Sequence, residues 1–288
     1  MKKNNLNSWI FLSPWIISFL FFWLYPLIYS FILSFSEYKT LTNELTLIGF
    51  DIYIKLFYDP YFHQALLNTF IFTFGTVPIT CFLALVLAVQ INDIQGRFQE
   101  WLKGTLFIPS VTSLVVISLI FTNLYSGNGY INSLLNLLGM PYPEKGWLLE
   151  PSTSLISIMI MDIWLSIGYY MLIFMSYLQT IPKDLYSVAE LEGLSKRGQF
   201  LKITLPLMKP ALTFVVIINT IKSFQVFVEV YVMTKGGPLG SSNTLVYAIF
   251  DKAFNQFDQI SYSSAIAYML FFILIILSLI QMKLLKSE

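Results

Sequence analysis

Histidine and cysteine are almost missing from this chain of 288 residues, which holds one of each, His63 and Cys81. No internal disulfide can form, and no second histidine is present to share a metal ion. Charge is scarce too. Asp, Glu, Lys and Arg make up 11% of the residues, against roughly a quarter in a soluble domain. The net charge of +1 gives no broad basic field for nucleic acid. There is no G-x-x-x-x-G-K-[ST] phosphate loop, no H-E-x-x-H, no C-x-x-C and no G-x-S-x-G. Gly193–Gly198 reads GLSKRG, which has the glycine spacing of a phosphate loop without its Lys-Ser/Thr. The sequence therefore points to no catalytic residue, no metal and no cofactor.

What the chain has in quantity is apolar length. Hydrophobic residues are 56% and aromatic residues 17% of the total. A membrane span needs about 20 mostly apolar residues, and six runs qualify: 9–33, 67–90, 104–125, 154–178, 211–233 and 262–282. The expected fold class is an all-α polytopic membrane protein, one domain over 1–288 with six transmembrane helices. Lys2 and Lys3 precede the first run, but it is far longer than the apolar core of a signal peptide. Ser34-Phe35-Ser36 is also a poor cleavage site, so a retained helix is expected, kinked at Pro14 and Pro26. Lys and Arg placement sets the orientation. With the N-terminus inside, the inner segments hold eleven basic residues: Lys2, Lys3, Arg97, Lys103, Lys183, Lys196, Arg197, Lys202, Lys209, Lys283 and Lys286. The outer segments hold five, Lys39, Lys55, Lys145, Lys235 and Lys252. Both termini are expected in the cytoplasm. Short surface helices are expected near 53–57 and 131–138.

Three charges fall at membrane depth: Asp162 in the fourth run, and Lys222 and Glu229 in the fifth. Each costs on the order of 2.5–3.5 kcal/mol to insert, so each should face protein or water rather than lipid. On a continuous helix Asn219, Lys222, Gln225 and Glu229 form one stripe, at offsets of 0, 3, 6 and 10 residues. That stripe is either a wall that hydrogen-bonds a polar solute or polar glue between helices, with a Lys222–Asp162 ion pair holding the bundle. Without a nucleotide motif, uphill movement of a solute would draw on an ion gradient or on a partner. One reading is a self-sufficient secondary transporter or channel that uses Asp162, Lys222 and Glu229 for ion coupling.

Residues 180–210 are the longest polar stretch in the C-terminal half and hold five basic residues. Lys183-Asp184 after Pro182 reads as a helix start. Leu185, Val188, Leu191 and Leu194 recur every three residues, giving the helix an apolar side. Gly193 can end it, and a second helix is expected over about 196–203, stopped by Pro206. Such a helix–turn–helix is either a docking knob for a soluble partner or an ordinary interfacial loop.

The same residues carry a resemblance. Ser187-Val188-Ala189-Glu190-Leu191-Glu192-Gly193-Leu194, followed by Phe200 and Pro206, resembles the cytoplasmic loop E-A-A-x-x-D-G-A of binding-protein-dependent ABC importer permeases. Ala189, Gly193, Phe200 and Pro206 match it. Glu192 replaces the Asp, and Ser187 stands where the family has Glu. Phe11-Leu12-Ser13-Pro14, Tyr25-Pro26-Leu27, Gly49-Phe50-Asp51-Ile52-Tyr53, Asn68-Thr69, Gly236-Gly237-Pro238 and 261–266 are similar to the sugar-uptake class of maltose, oligosaccharide and glycerol-3-phosphate type. The resemblance implies a type I permease fold in the bacterial inner membrane. It also implies four partners besides lipid and a sugar: a second homologous permease, two cytoplasmic ATPase subunits and an extracytoplasmic solute-binding protein. ATPase coupling would rest on Ser187, Ala189, Glu190, Glu192, Gly193, Phe200 and Pro206. The solute path would use Asp162, Asn219, Lys222, Gln225 and Glu229.

Overall fold

The computed structural model describes residues 5–285, so Lys2, Lys3 and Lys286 of the charge count lie outside the described residues. Helices α1 (Asn5–Phe19) and α2 (Tyr25–Leu33) are joined by one π-helical turn, Leu20–Leu24. That turn places Pro26 in the first turn of α2, where its missing N–H is not needed. Next comes a small antiparallel hairpin, β1 (Ser36–Lys39) with β2 (Glu44–Leu47), in the register Ser36↔Leu47. The apolar periodicity gave no sign of it, and it is the one sheet among the described residues of an otherwise helical chain. Helices α3 (Asp51–Tyr58) and α4 (Pro60–Asn92) follow. Then come α5 (Arg97–Val111), α6 (Leu114–Leu124), α7 (Tyr130–Leu137) and α8 (Ser154–Leu178). The polar stretch holds α9 (Lys183–Leu191), α10 (Lys196–Gln199) and α11 (Leu205–Leu207). The chain closes with α12 (Lys209–Phe224), α13 (Val228–Met233), α14 (Leu245–Phe250) and α15 (Ile260–Leu285).

Five stretches of the described residues are long and apolar enough to cross a membrane: Phe11–Leu33, Pro60–Asn92, Ser154–Leu178, Lys209–Met233 and Ile260–Leu284. A sixth exists only if α5 and α6 count as one, and they meet at a bend of 93°. The sequence suggested one run over 104–125. Pro109 cannot donate its nitrogen to the α5 ladder, and Thr112 and Ser113 take extended backbone with ψ near 150° and 122°. The chain turns there before Leu114.

The chain forms two compact units. One comprises the residues up to Phe62 with Ala248–Phe272; the other comprises His63–Tyr247 with the residues from Ile273. In the first, most of the large side chains of α1, α2 and the π turn are exposed, as suits lipid or another protein. Tyr268 Oη donates to the Leu27 carbonyl at 2.6 Å, and Thr40 N–H donates to Asp258 Oδ1 at 2.8 Å. In the second unit, α5 lies hard against α8. A Cβ on Gly168 would stand 1.9 Å from the Leu106 carbonyl oxygen, so only glycine allows that approach. Ser110 Oγ donates to the Leu165 carbonyl at 2.8 Å across the same contact. One core cluster joins α4, α8 and α12 through Leu85, Phe174 and Val215. Another gathers Phe72, Ile158, Met161 and Val230.

Candidate functional site

Two features of the second unit stand out: a cavity beside a broken helix and a knob of short helices.

The fifth apolar run is not one helix. α12 ends at Phe224, Gln225 leaves helical geometry, and Phe227 (φ −142°, ψ −57°) redirects the chain into α13. Carbonyls freed by such a break need other donors at membrane depth. Thr244 Oγ1 supplies one, donating to the Val226 carbonyl at 3.2 Å. Beside the break lies a cavity of about 370 Å³. Its polar lining comes from Lys222, Gln225 and Glu229, and its apolar lining includes Leu114, Ile218, Ile221 and Phe227.

Lys222 Nζ stands 3.2 Å from Asp162 Oδ1 and 2.7 Å from Ser166 Oγ. Asp162 is 3% exposed, whereas the Lys222 side chain is 45% exposed. The base therefore bridges a buried acid and an open wall. Glu229 is also 3% exposed, at the start of α13, where the backbone N–H groups of Phe227 and Glu229 meet its carboxylate. The structure thus brings together four of the five residues expected on the path. Asn219 is not with them. It lies roughly 60° round the helix from Lys222, is 1% exposed and turns its amide to Cys81 Sγ at 3.9 Å. The stripe drawn on a continuous helix thus divides into a cavity wall and a packing contact. Ser166 went unnoticed in the sequence, although it stands one turn from Asp162 on α8 and so on the same face.

The knob runs from α9 to Met208. Gly193 (φ +77°) ends α9, with Leu194 N–H donating to the Ala189 carbonyl at 2.9 Å. Ser195 then caps α10 by accepting from Gly198 N–H. Pro206 does not stop this helix, contrary to the sequence expectation. A π turn over Phe200–Thr204 leads into α11, and Pro206 sits in its first turn, where no N–H is needed. The inner side of α9 is Tyr186 and Ala189. Tyr186 Oη and Thr204 Oγ1 are hydrogen-bonded at 2.9 Å, and Ala189 is buried. Phe200 packs against the core, and Gln199 is buried with its amide on the Leu194 carbonyl. The outer side carries Leu185, Val188 and Leu191, the last 89% exposed. Ser187, Glu190, Glu192, Gly193 and Pro206 are exposed with them. The residues expected to couple thus split. Ala189 and Phe200 hold the knob in place, and the others are open to a partner. Spacing revealed the apolar ridge, but the Tyr186–Thr204 bond that fixes it links residues 18 apart and left no local signal.

Comparison with known proteins bears on both features. Residues 62–286 match the family model described as the binding-protein-dependent transport system inner membrane component. The chain is 34% identical over 282 residues to a lactose transport system permease protein of Rhizobium radiobacter, covering 97% of this chain and 94% of that protein. It is 33% identical over 285 residues to an arabinooligosaccharides transport system permease protein of Bacillus subtilis (strain 168), covering 98% and 89%. Among solved structures, a bacterial ABC transporter involved in the import of the acidic polysaccharide alginate has a chain that superposes with a TM-score of 0.85. It covers 98% of this chain and 96% of that one at 20% identity, a likeness of fold. The chain belongs to the family of binding-protein-dependent transport system inner membrane components, the permease subunits of ABC importers.

Proposed function

We propose that this permease translocates a sugar or sugar-like solute handed over by an extracytoplasmic binding protein, and that its knob transmits the movement of partner ATPases. The sugars named for its full-length relatives support the solute class. The cavity at the α12–α13 break is part of the solute path in this reading, with Lys222, Gln225 and Glu229 on its wall and Asp162 behind Lys222. Uncharged sugars suit such a wall of few polar groups on an apolar, partly aromatic lining. The domain is a single one, with α5 and α6 together making the third of six crossings. Both termini and the knob lie on the cytoplasmic side, in keeping with the five basic residues of 180–210. A second homologous permease completes the path, and two ATPase subunits hydrolyse the ATP.

The observation that carries the coupling role is the exposed ridge of Leu185, Val188 and Leu191 on a helix whose inner side is anchored by Ala189 and the Tyr186–Thr204 bond. A firmly held apolar ridge at a polar surface fits a protein partner. Movement of that partner would be passed on as a rigid-body shift. The ion-coupled alternative gains nothing from the geometry, because Lys222 and Asp162 already pair with each other.

The test is Gly193→Trp in the assembled importer, reconstituted in proteoliposomes with its binding protein and ATPases. Nothing lies within 4 Å of a Cβ built at Gly193, so the side chain leaves the backbone into open space, while φ of +77° strains the turn. The expected result is an intact complex that still hydrolyses ATP but has lost uptake. Unchanged uptake would remove the role given to the knob.

A further inference from the structure

The cavity beside the helix break sets one base against two acids. Among the described residues Lys222 is the only base that lines it. Its Nζ is held at 3.2 Å by Asp162 Oδ1 and at 2.7 Å by Ser166 Oγ. Asp162 is buried and cannot turn to solvent, and Glu229 adds a second buried carboxyl to the wall. With Glu229 ionised the balance of the three groups is negative; with Glu229 protonated it is neutral. In neither state is a positive charge unmatched. An entering phosphate, sulfonate or uronate would meet a base whose charge Asp162 already matches and a second carboxyl in Glu229, and turning Lys222 fully to the anion would leave Asp162 a buried charge without its base, which is strongly unfavourable. A neutral polyol makes no such demand. Its hydroxyls can donate to Glu229 and exchange bonds with the Gln225 amide, while its C–H faces lie on Phe227 and Ile221.

From this we infer that Lys222, matched by Asp162 behind it, and Glu229 make the cavity wall a charge filter, which admits neutral sugars or polyols to the path and turns away anionic ones. The inference rests on the cavity being part of the solute path, and it narrows the solute to an uncharged class.

The filter can be read without knowing the sugar. In the full importer in proteoliposomes, Cys81→Ser removes the native thiol, and Gln225→Cys then places one on the cavity wall. Its modification by an anionic sulfonatoethyl methanethiosulfonate is compared with that by a cationic trimethylammonioethyl methanethiosulfonate, each rate normalised to a small free thiol. At mildly alkaline pH, with Glu229 ionised, the anionic reagent should be roughly tenfold slower or more, as expected of unlike and like charges meeting in a cavity of low dielectric. Adding Glu229→Gln should shrink the ratio. Adding Asp162→Asn to Glu229→Gln, so that Lys222 stands unmatched, should reverse it. An anionic reagent that reacts as fast as the cationic one, or faster, overturns the filter and leaves the path reading standing. Failure of both reagents, at rest and during turnover, overturns the path reading and the filter with it. If Gln225→Cys does not assemble, Val228→Cys on the same wall serves in its place.

Discussion

The cavity wall and the knob belong to the same unit, yet they handle charge and apolar surface in opposite ways. At the α12–α13 break the acids Asp162 and Glu229 are turned inward and Lys222 is tied to one of them. On α9 the acids Glu190 and Glu192 stand open, and so do Leu185, Val188 and Leu191. Inward charge in a chain dissolved in lipid must face protein, water or a polar solute, since lipid cannot solvate it, and the proposed path takes the last of these. Outward apolar side chains on a polar stretch suit a covering protein, as the proposed coupling role requires. The first region is therefore sensitive to any change in packing or pairing. The second should tolerate change within the chain and fail only when its partner is present.

The largest effect should come from the packing that carries the wall. Gly168→Val forces a side chain against the Leu106 carbonyl oxygen and carbon, at 1.9 and 2.5 Å from the Cβ, and no flexible group can give way. Prising α8 from α5 should cost about 3 kcal/mol or more. The thermal midpoint of the purified protein in detergent should fall sharply, and assembly should fail. A mild effect would mean that α5 and α8 are not held at this distance.

Next comes the ion pair. Lys222→Met leaves Asp162 buried without its base. Breaking a fully buried pair costs about 3–5 kcal/mol, and the partial exposure of Lys222 puts this one at the low end or below. Combining it with Asp162→Asn should restore much of the loss, and a double-mutant cycle by thermal denaturation measures the coupling. Additive single losses would separate Lys222 from Asp162 and weaken both the glue and the filter.

The sequence disclosed these two regions unevenly, for physical reasons. Apolar length and the scarcity of charge revealed the helices of the bundle, because lipid imposes that composition. The lone charges at depth pointed to the wall for the same reason. The breaks were hidden. Pro109 lies three residues before the first bend and not at it, and Gln225-Val226-Phe227 hold no glycine or proline, their freed Val226 carbonyl being met by Thr244, far along the chain. Asn219 was misplaced for another reason: three residues put it about 60° round the unbroken part of α12 from Lys222, enough to turn it onto Cys81. On the knob, spacing and Gly193 disclosed the ridge and the turn. Pro206 misled because a proline ends a helix only where its nitrogen is called on to donate, and the preceding π turn removed that demand.

A smaller effect should mark the anchoring of the knob. Tyr186→Phe removes the bond to Thr204 Oγ1 and keeps the ring. About 0.5–1.5 kcal/mol is expected from one such bond. Hydrogen exchange should show faster opening of α9 with the bundle unaffected. If α9 keeps its protection, the knob is held by Ala189 and Phe200 alone.

The smallest effect on the chain itself should come from its most exposed apolar residue. Leu191→Gln lies at 89% exposure and leaves no cavity, so stability should move by no more than about 0.5 kcal/mol. The same change removes the end of the proposed ridge that an ATPase would cover, and burial of a leucine is worth about 1.5–3 kcal/mol. ATPase association, measured by pull-down or by ATP-driven uptake, should therefore weaken by roughly tenfold or more, although the isolated chain melts as before. Gly168→Val and Leu191→Gln are then opposite results. One breaks the protein in isolation, and the other breaks only the assembly. If Leu191→Gln left both association and uptake unchanged, the contrast between an inward wall and an outward ridge would lose its second half, and the ridge would have to be covered by lipid headgroups instead.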